Sequence, residues 1–526
     1  MPDYMFLLES RLSAEQRAVL TRMQELGVAT ESNVYLAGGA VRDLISGMPI
    51  RDLDFAVEGN PFRIVRELEK GGARVLHESE RMRFAEMIFA GDVDGSIAAA
   101  RDEVYARPGT TPEVRWSTIM EDLRRRDFSF NAIAISLNPA SRGLLLDPTN
   151  GLSDLERHEI RALSIHSFTN QPVRLLRVLR FAARLGAKLE TRTKEWFDLA
   201  IERQMNEQIQ LDDAGSELRQ LTREDKPVTI LKAWEASGLL GAFSPHLARR
   251  HPDYDAVARL ARARDDLMSG NLRPRLLIPG TLAVLGKLKS REVSAALHNL
   301  KYSAAEIAAI LKLEAEGKKF VKILAGRKMN APRDAYTMLE VSPLDMIAYV
   351  MAESPNTKAR AKIRNYIQKW RPMRLNLPAV ATELETLGMA RGPKFDKVVE
   401  QFFAAQLAGK GKTPEDRLKL LRRLSGIKEL PKKPIKEEKK KPVKAMPKGA
   451  VRVAAQPAAA GAGAKEKAAA PDKAGAAKQP AAKATAHPAK AAHAAKIKPP
   501  KKSAKPSHKP SKKKSAKPKK KGGKKR

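Results

Sequence analysis

Residues 35–57 read YLAGGAVRDLISGMPIRDLDFAV. The apolar run VYLA ending at Gly38 and Gly39 reads as a buried strand that stops in a glycine turn, and AVRDLIS reads as a helix closed by Gly47 and Pro49. LDFAV then reads as a second strand. Side chains alternate along a strand, so Asp52 and Asp54 share one face about 6.6 Å apart along the axis, while Leu53, Phe55 and Val57 take the other. The apolar face can pack. The acidic face carries two like charges whose repulsion a hard divalent cation such as Mg2+ would relieve through oxygen ligands. The glycine pair lets backbone amides approach a phosphate at the head of a helix, and Arg42 follows one turn later. Taken singly, each feature has an ordinary reading: acidic residues sit on exposed strands, and most glycine pairs mark tight turns.

Outward from this stretch, residues 11–30 are expected to form one helix, PFRIVRELEKGG another, and ARVLHES and FAEMIFAG two further strands. Strands mixed with helices over the first 160 residues indicate an α/β unit with a mixed sheet. Beyond it the period becomes helical, in QPVRLLRVLRFAARLG, VTILKAWEASGLLGAF and SAAEIAAILKLEAEG. The last opens on a capping box from Ser303 to Glu306 and is expected to close at Gly317. On the helix near 172–188, Arg174, Arg177, Arg180 and Arg184 recur every three or four residues and form one stripe, opposite Leu175, Leu176, Leu179, Ala182 and Ala183.

The 526 residues include no cysteine, which rules out disulfides and fits a reducing compartment. The acidic, barely apolar start is not a signal peptide, and no apolar stretch has membrane-spanning length, so the expectation is a soluble cytoplasmic protein without a membrane partner. The nine histidines are scattered and imply no zinc site. The formal charge of +38 is mostly terminal: residues 431–526 hold 31 of the 98 Lys and Arg and 4 of the 60 Asp and Glu. That Lys/Ala/Pro-rich segment, with no aromatic residue, is expected to be disordered and to bind polyanions through counterion release.

Four segments in order carry a resemblance to a known family. GGAVRD with RDLDFAV, EDLRRRDFSFNAIAISL at 121–137, LLDPTNGLSDLERHEIRAL at 145–163 and QPVRLLRVLRFAARLG at 171–186 resemble the motifs of the class II CCA-adding tRNA nucleotidyltransferases and bacterial poly(A) polymerases. The resemblance implies a nucleotidyltransferase head at 1–160 and a helical neck at 161–235. A helical RNA-binding body and tail at 236–428 and the disordered basic segment at 429–526 complete the expected organisation. It implies an enzyme that adds CCA, or part of it, to tRNA from CTP and ATP by two-metal attack of the RNA 3′-hydroxyl on the α-phosphate. The alternatives are poly(A) addition to RNA 3′ ends and a non-catalytic RNA-binding relative. Carried over by position, Asp52 and Asp54 hold Mg2+, and Gly39, Arg42, Arg126, Asp127, Asn131, Gln171, Arg174, Arg177 and Arg180 bind nucleotide.

Two departures from the family pattern stand out. Where relatives have two acids before the Pro-x-x-Arg of the stripe helix, this chain has Asn170 and Gln171, which implies base selection kept in kind but loosened, and Arg174 without its carboxylate partner. Where relatives commonly have an acid five residues before Arg101, this chain has Ser96, and whether Asp92 or Asp94 replaces that acid or merely ends a strand stays open.

Overall fold

The computed structural model describes residues 3–107 and 109–427, so the expectations for the basic segment from 429 onward lie outside the described residues. The helix expected at 11–30 forms as α2 (Ala14–Ala29), and a further helix, α1 (Tyr4–Arg11), precedes it. The reason is local: Asp3 and Ser13 each accept backbone N–H bonds at a helix start, and Ser13 forms a capping box with Gln16.

β1 (Asn33–Ala37) runs through Gly38 into α3 (Gly39–Ile45), and β2 (Leu53–Glu58) returns antiparallel to β1 with Leu36 opposite Phe55. After α4 (Pro61–Lys70) come β3 (Arg74–Ser79), β4 (Phe84–Phe89) and β5 (Val93–Ala99), then a separate ribbon of β6 (Arg101–Val104) and β7 (Glu113–Trp116). The unit is completed by α5 (Ile119–Arg124), β8 (Ala134–Ser136), β9 (Leu145–Leu146) and α6 (Gly151–Glu156). Seven strands form one mixed sheet in the order β3-β4-β5-β2-β1-β8-β9, with β2 and β5 parallel.

Alternation along β2 assigns its two faces to different tasks. Leu53, Phe55 and Val57 join Leu36, Ile64, Phe89 and Ile97 in the core under α1 to α4. Ala56 packs with Tyr35, Ile119 and Leu123 on the opposite face, the face on which Asp54 lies.

The next region comprises β10 (Glu159–Ile160), α7 (Ser167–Asn170), α8 (Arg174–Leu185), β11 (Lys188–Leu189), α9 (Thr191–Glu202), α10 (Leu211–Leu221) and α11 (Pro227–Ala236). It is not purely helical as expected, because β10 and β11 pair in parallel and pin the exit of α8. Phe128 and Phe130 from the sheet unit pack on Phe181 of α8, with ring centroids 6.1 and 5.2 Å away. The Trp234 indole N–H donates to the Leu176 carbonyl at 2.9 Å, which fastens α11 to α8.

The helices that follow, from Pro245 to Ser425, enclose a further core that includes Leu267, Tyr366 and Phe402. The capping box at Ser303 forms, but its helix spans Ala304–Ala325 and passes straight through Gly317. Gly317 serves packing: a Cβ there would lie 2.6 Å from the Tyr349 ring. Among the described residues no helix is long and apolar enough to cross a membrane. Gly317→Ala is expected to cost about 1–3 kcal/mol, read as a lower urea midpoint, because the ring must move to admit the methyl group.

Candidate active site

The turn after β1 explains why two glycines stand together. Gly38 has φ +69°, and a Cβ on it would meet an Arg126 Nη atom at 2.9 Å. Gly39 has another reason: the position of a Cβ there lies 3.6 Å from Arg42 Nη2, 3.8 Å from Asp54 Oδ2 and 4.0 Å from Asp52 Oδ1. The α3 start, the two aspartates and two arginines therefore face one small space.

Asp52 immediately precedes β2 and Asp54 lies within it. Burial pushes the Asp54 carboxyl up to about 6, helped by the charge of Asp52 and opposed by the Ser96 hydrogen bond, Arg126 and Arg42. Ser96 is the register partner of Asp54 on β5 and donates its hydroxyl to Asp54 Oδ1 at 2.6 Å. Asp52 is 3.6 Å from Arg223, which also donates to Asp94 at 3.4 Å. Asp94 and Asp92 further accept from Arg275, at 3.2 and 3.3 Å. Arginines from the helical region thus neutralise the two acids considered as replacements for the one absent at Ser96.

Arg126 gives its Nε and Nη2 to Asp122 at 3.2 and 2.9 Å and its Nη1 to the Asn131 carbonyl at 3.2 Å, using three of its five N–H donors. Two remain at the edge of the glycine turn.

Behind this surface lies a closed ring of charges. Arg42 holds Asp43 through two nitrogens and donates to Asn131 Oδ1 at 2.8 Å, and Asn131 donates to Asp127 at 3.0 Å. Asp127 accepts from Arg177 at 3.1 Å, Arg177 donates to Glu217 at 2.9 Å, and Glu217 accepts from Arg180 at 2.8 Å. Arg180 donates to Glu224 at 2.8 Å, Glu224 lies 3.6 Å from Arg184, and Arg184 donates to Asp43 at 2.6 Å, closing the ring. Four arginines and four acids cancel, which lets the ring be buried. Burial alone would raise the Asp127 carboxyl, but Arg177, Arg174 and the Asn131 hydrogen bond bring it down to about 2. Arg42 also stacks over the Phe181 ring at 4.9 Å.

The arginine stripe therefore differs from the open face that a helical wheel suggests. Arg180 and Arg184 are buried or nearly so and committed to acids, and Arg177, the more open one, has two carboxylate partners. Arg174 is buried too, yet among the described residues it pairs with no carboxylate: its Nε donates to Gln171 Oε1 at 3.0 Å and its Nη1 to Ser167 Oγ at 2.8 Å. Gln171 thus takes the place of the acid beside Arg174, while Asn170 supplies its carbonyl to the Gly109 N–H. Gly39, Asp52, Asp54, Arg42 and Arg126 meet at one end of the site, Gln171 and Arg174 lie at another, and Asp127, Asn131, Arg177 and Arg180 run between them in the ring. Sequence reasoning passed over Asp43, Glu217, Glu224 and Arg223. Glu217 lies on α10 and Glu224 in the turn after it, and the signal for Glu217 was an acid on the apolar side of α10 beside Leu218 and Leu221.

Residues 34–161 match the poly A polymerase head domain. The chain is similar to the A-adding tRNA nucleotidyltransferase of Geobacter sulfurreducens, at 25% identity over 430 residues, 80% of this chain and 48% of that one. It is also similar to the A-adding tRNA nucleotidyltransferase of Halalkalibacterium halodurans, at 39% identity over 188 residues, 36% of this chain and 44% of that one. A third relative is the CC-adding tRNA nucleotidyltransferase of Deinococcus radiodurans, at 35% identity over 176 residues, 34% of this chain and 47% of that one. The residues that match this head domain lie in the first third of the chain. The chain spans about half the length of these curated relatives.

Two outcomes follow from the electrostatics. Asp127 contributes about 2 kcal/mol of stability that is present above pH ~4 and lost as pH falls towards ~2, because its folded value is depressed. The urea stability gap between the parent and Asp127→Asn should therefore shrink between pH 5 and pH 2.5. Asp54→Asn removes a carboxyl that is costly to ionise, so in the absence of divalent cations at pH 8 its urea midpoint should exceed the parent's.

Proposed function

We propose that the protein is a template-independent tRNA nucleotidyltransferase that adds CCA, or part of it, to tRNA 3′ ends from CTP and ATP. The observation that carries the reading is the convergence of Asp52, Asp54, Gly39, Arg42 and Arg126 on one space inside a poly A polymerase head domain. The names of the relatives support tRNA as the acceptor. Among the readings, transfer of A alone is favoured by the A-adding names of two of them.

The residues fit a divalent metal. Two carboxylates offer hard oxygen donors beside Gly39, the Asp54 carboxyl is driven up by burial and by Asp52, and the Ser96 hydroxyl orients Asp54 by donating to it. Asp52 and Asp54 would hold Mg2+. When bound, the ion supplies positive charge to the triphosphate and acidifies the attacking 3′-hydroxyl.

This chain's own residues do the rest. Gly39 leaves the space beside the carboxylates open to the phosphates. Arg126, with two N–H donors to spare, faces the charge that develops on the α-phosphate as the 3′-hydroxyl attacks and pyrophosphate leaves in line. Arg42 and Asn131 brace the turn from behind, and Asp127 with Arg177 holds the neck against it. Arg174 and Gln171 present a donor and an acceptor to the base, so the protein selects the nucleotide in place of a template strand. Arg180 acts through Glu217 and Glu224 as a positioning residue.

Purified protein with Mg2+ is expected to extend tRNA ending before CCA, or tRNA ending in CC, and to stop at the terminal A. A long A tract on any RNA would instead make it a poly(A) polymerase, and no extension of any RNA would refute the proposal. Asp52→Ala should lower turnover at least a thousandfold while tRNA retention in a gel shift stays near the parent's. Gly39→Ala should fold with a near-parental urea midpoint, since the neighbours of the added Cβ at 3.6 to 4.0 Å leave ordinary contact distance, yet weaken CTP and ATP binding by about tenfold.

A further inference from the structure

Gln171 stands where an acid would orient itself. A carboxylate accepts hydrogen bonds at both oxygens, but an amide offers an acceptor at one end and a donor at the other, and turned over it would read the opposite base edge. Cytosine and adenine each present an amino donor beside a ring-nitrogen acceptor. Uracil and guanine present a carbonyl beside an N–H. A freely turning Gln171 would accommodate both classes.

The surroundings of Gln171 do not leave it free. On one side Arg174, which can only donate, gives its Nε to Gln171 Oε1 at 3.0 Å. On the other, Gln171 Nε2 donates to Glu103 Oε2 at 3.2 Å and to the Tyr105 hydroxyl. Glu103 is a buried carboxylate whose side chain is 4% exposed. Its Oε1 receives Arg101 and Arg125 at 3.0 and 2.9 Å, and its Oε2 receives the Tyr105 hydroxyl at 2.7 Å. Burial would raise this carboxyl, but Arg125 and Arg101 hold it below the usual range, so it is ionised and only accepts. With its proton committed to Glu103, the Tyr105 hydroxyl turns a lone pair towards Gln171. The reversed amide would set an NH2 group against a guanidinium and a carbonyl against a carboxylate.

Resting on the function proposed above, we propose that Glu103, acting directly and through Tyr105, is the positioning residue that locks the Gln171 amide with its oxygen beside Arg174, so that an uncharged side chain selects C and A over U and G. The carboxylate missing from position 171 is supplied one residue away in space, from β6. Base selection is then as strict as with an acid, in contrast to the loosened selection expected from the substitution alone. The free lone pair of Gln171 Oε1 accepts the base amino group, and Arg174 donates to the ring nitrogen. A base that presents the opposite pattern leaves both unpaired, the arrangement by which polar sites discriminate strongly.

The test is equilibrium binding of CTP, UTP, ATP and GTP to the full chain, read without transfer. The parent is expected to prefer CTP over UTP and ATP over GTP. Glu103→Gln should lower both preferences about tenfold or more, with UTP and GTP binding tighter than to the parent, because residue 103 can then donate to a turned amide. Adding Gln171→Glu to Glu103→Gln exchanges the positions of acid and amide and should restore both preferences to within about threefold of the parent. A merely structural role for Glu103 would lower all four affinities together and would not be rescued. If Glu103→Gln melts well below the parent, Tyr105→Phe replaces it, and the preferences should fall in the same direction. Unchanged preferences in these variants, a double variant no more selective than Glu103→Gln, or a parent that binds all four alike or none would each overturn the inference. A parent that prefers CTP and ATP yet extends no RNA would refute the proposed function and leave this assignment standing.

Discussion

Everything at the candidate site leans on one constraint: four arginines and four acids, drawn from the sheet unit and from the helices after it, must neutralise each other inside the protein. No pair of them suffices alone. Arg180, for example, lies between Glu217 and Glu224, and removing either acid would leave a buried guanidinium with half its compensation. Breaking one such pair costs on the order of 3–5 kcal/mol, far more than forming it contributes against a hydrophobic alternative. The ring is therefore better understood as a device that specifies one arrangement than as a source of net stability. Its members Arg42, Asp43, Asp127 and Asn131 come from the sheet unit, and the others from α8, α10 and the turn after α10. The two regions have one charge-balanced way to meet.

That meeting sets the geometry of the chemistry proposed here. Arg42 faces the glycine turn on one side and Asn131 on the other, and Asp127 receives both Asn131 and Arg177. Arg177 lies one helical turn after Arg174, so the position of the base-facing pair is transmitted to the phosphate side through three consecutive polar contacts. Phe128 and Phe130, stacked on each other, and Phe181, edge-on to both, exclude water from the same junction, which strengthens every one of those contacts. A second, smaller network around Glu103 is proposed to do for Gln171 what the ring does for the arginines, giving its amide one orientation between an arginine that only donates and a carboxylate that only accepts.

Local chemistry was readable from the sequence, and long-range compensation was not. Gly38, Gly39, Asp52 and Asp54 announce themselves because a turn, a strand alternation and a like-charge pair all fall within some twenty residues. The arginine stripe of α8 was visible too, but a helical wheel reports which residues share a face and not what covers it. The covering acids Glu217 and Glu224 lie 37 to 44 positions from the arginines they meet, one on α10 and the other in the turn after it, where nothing local marks their partners. Gly317 misled for the same reason: a glycine that ends a helix and one that admits a tyrosine ring look identical until Tyr349 is in place. Gln171 was read as a loss of charge, since Glu103 and Tyr105 sit 66 and more residues away and reach it only through the β6 ribbon.

The central claim is that the ring, although behind the surface, fixes the site. It is tested most directly by a double-mutant cycle on Asp43 and Arg184, neither of which lines the space beside Gly39, with CTP affinity and urea stability both measured for the parent, Asp43→Asn, Arg184→Met and the double variant. The account predicts that each single change weakens CTP binding as well as stability, and that the two together cost less than their sum by about 1 kcal/mol or more. Strictly additive losses, or CTP binding that stays parental while stability falls, would contradict it.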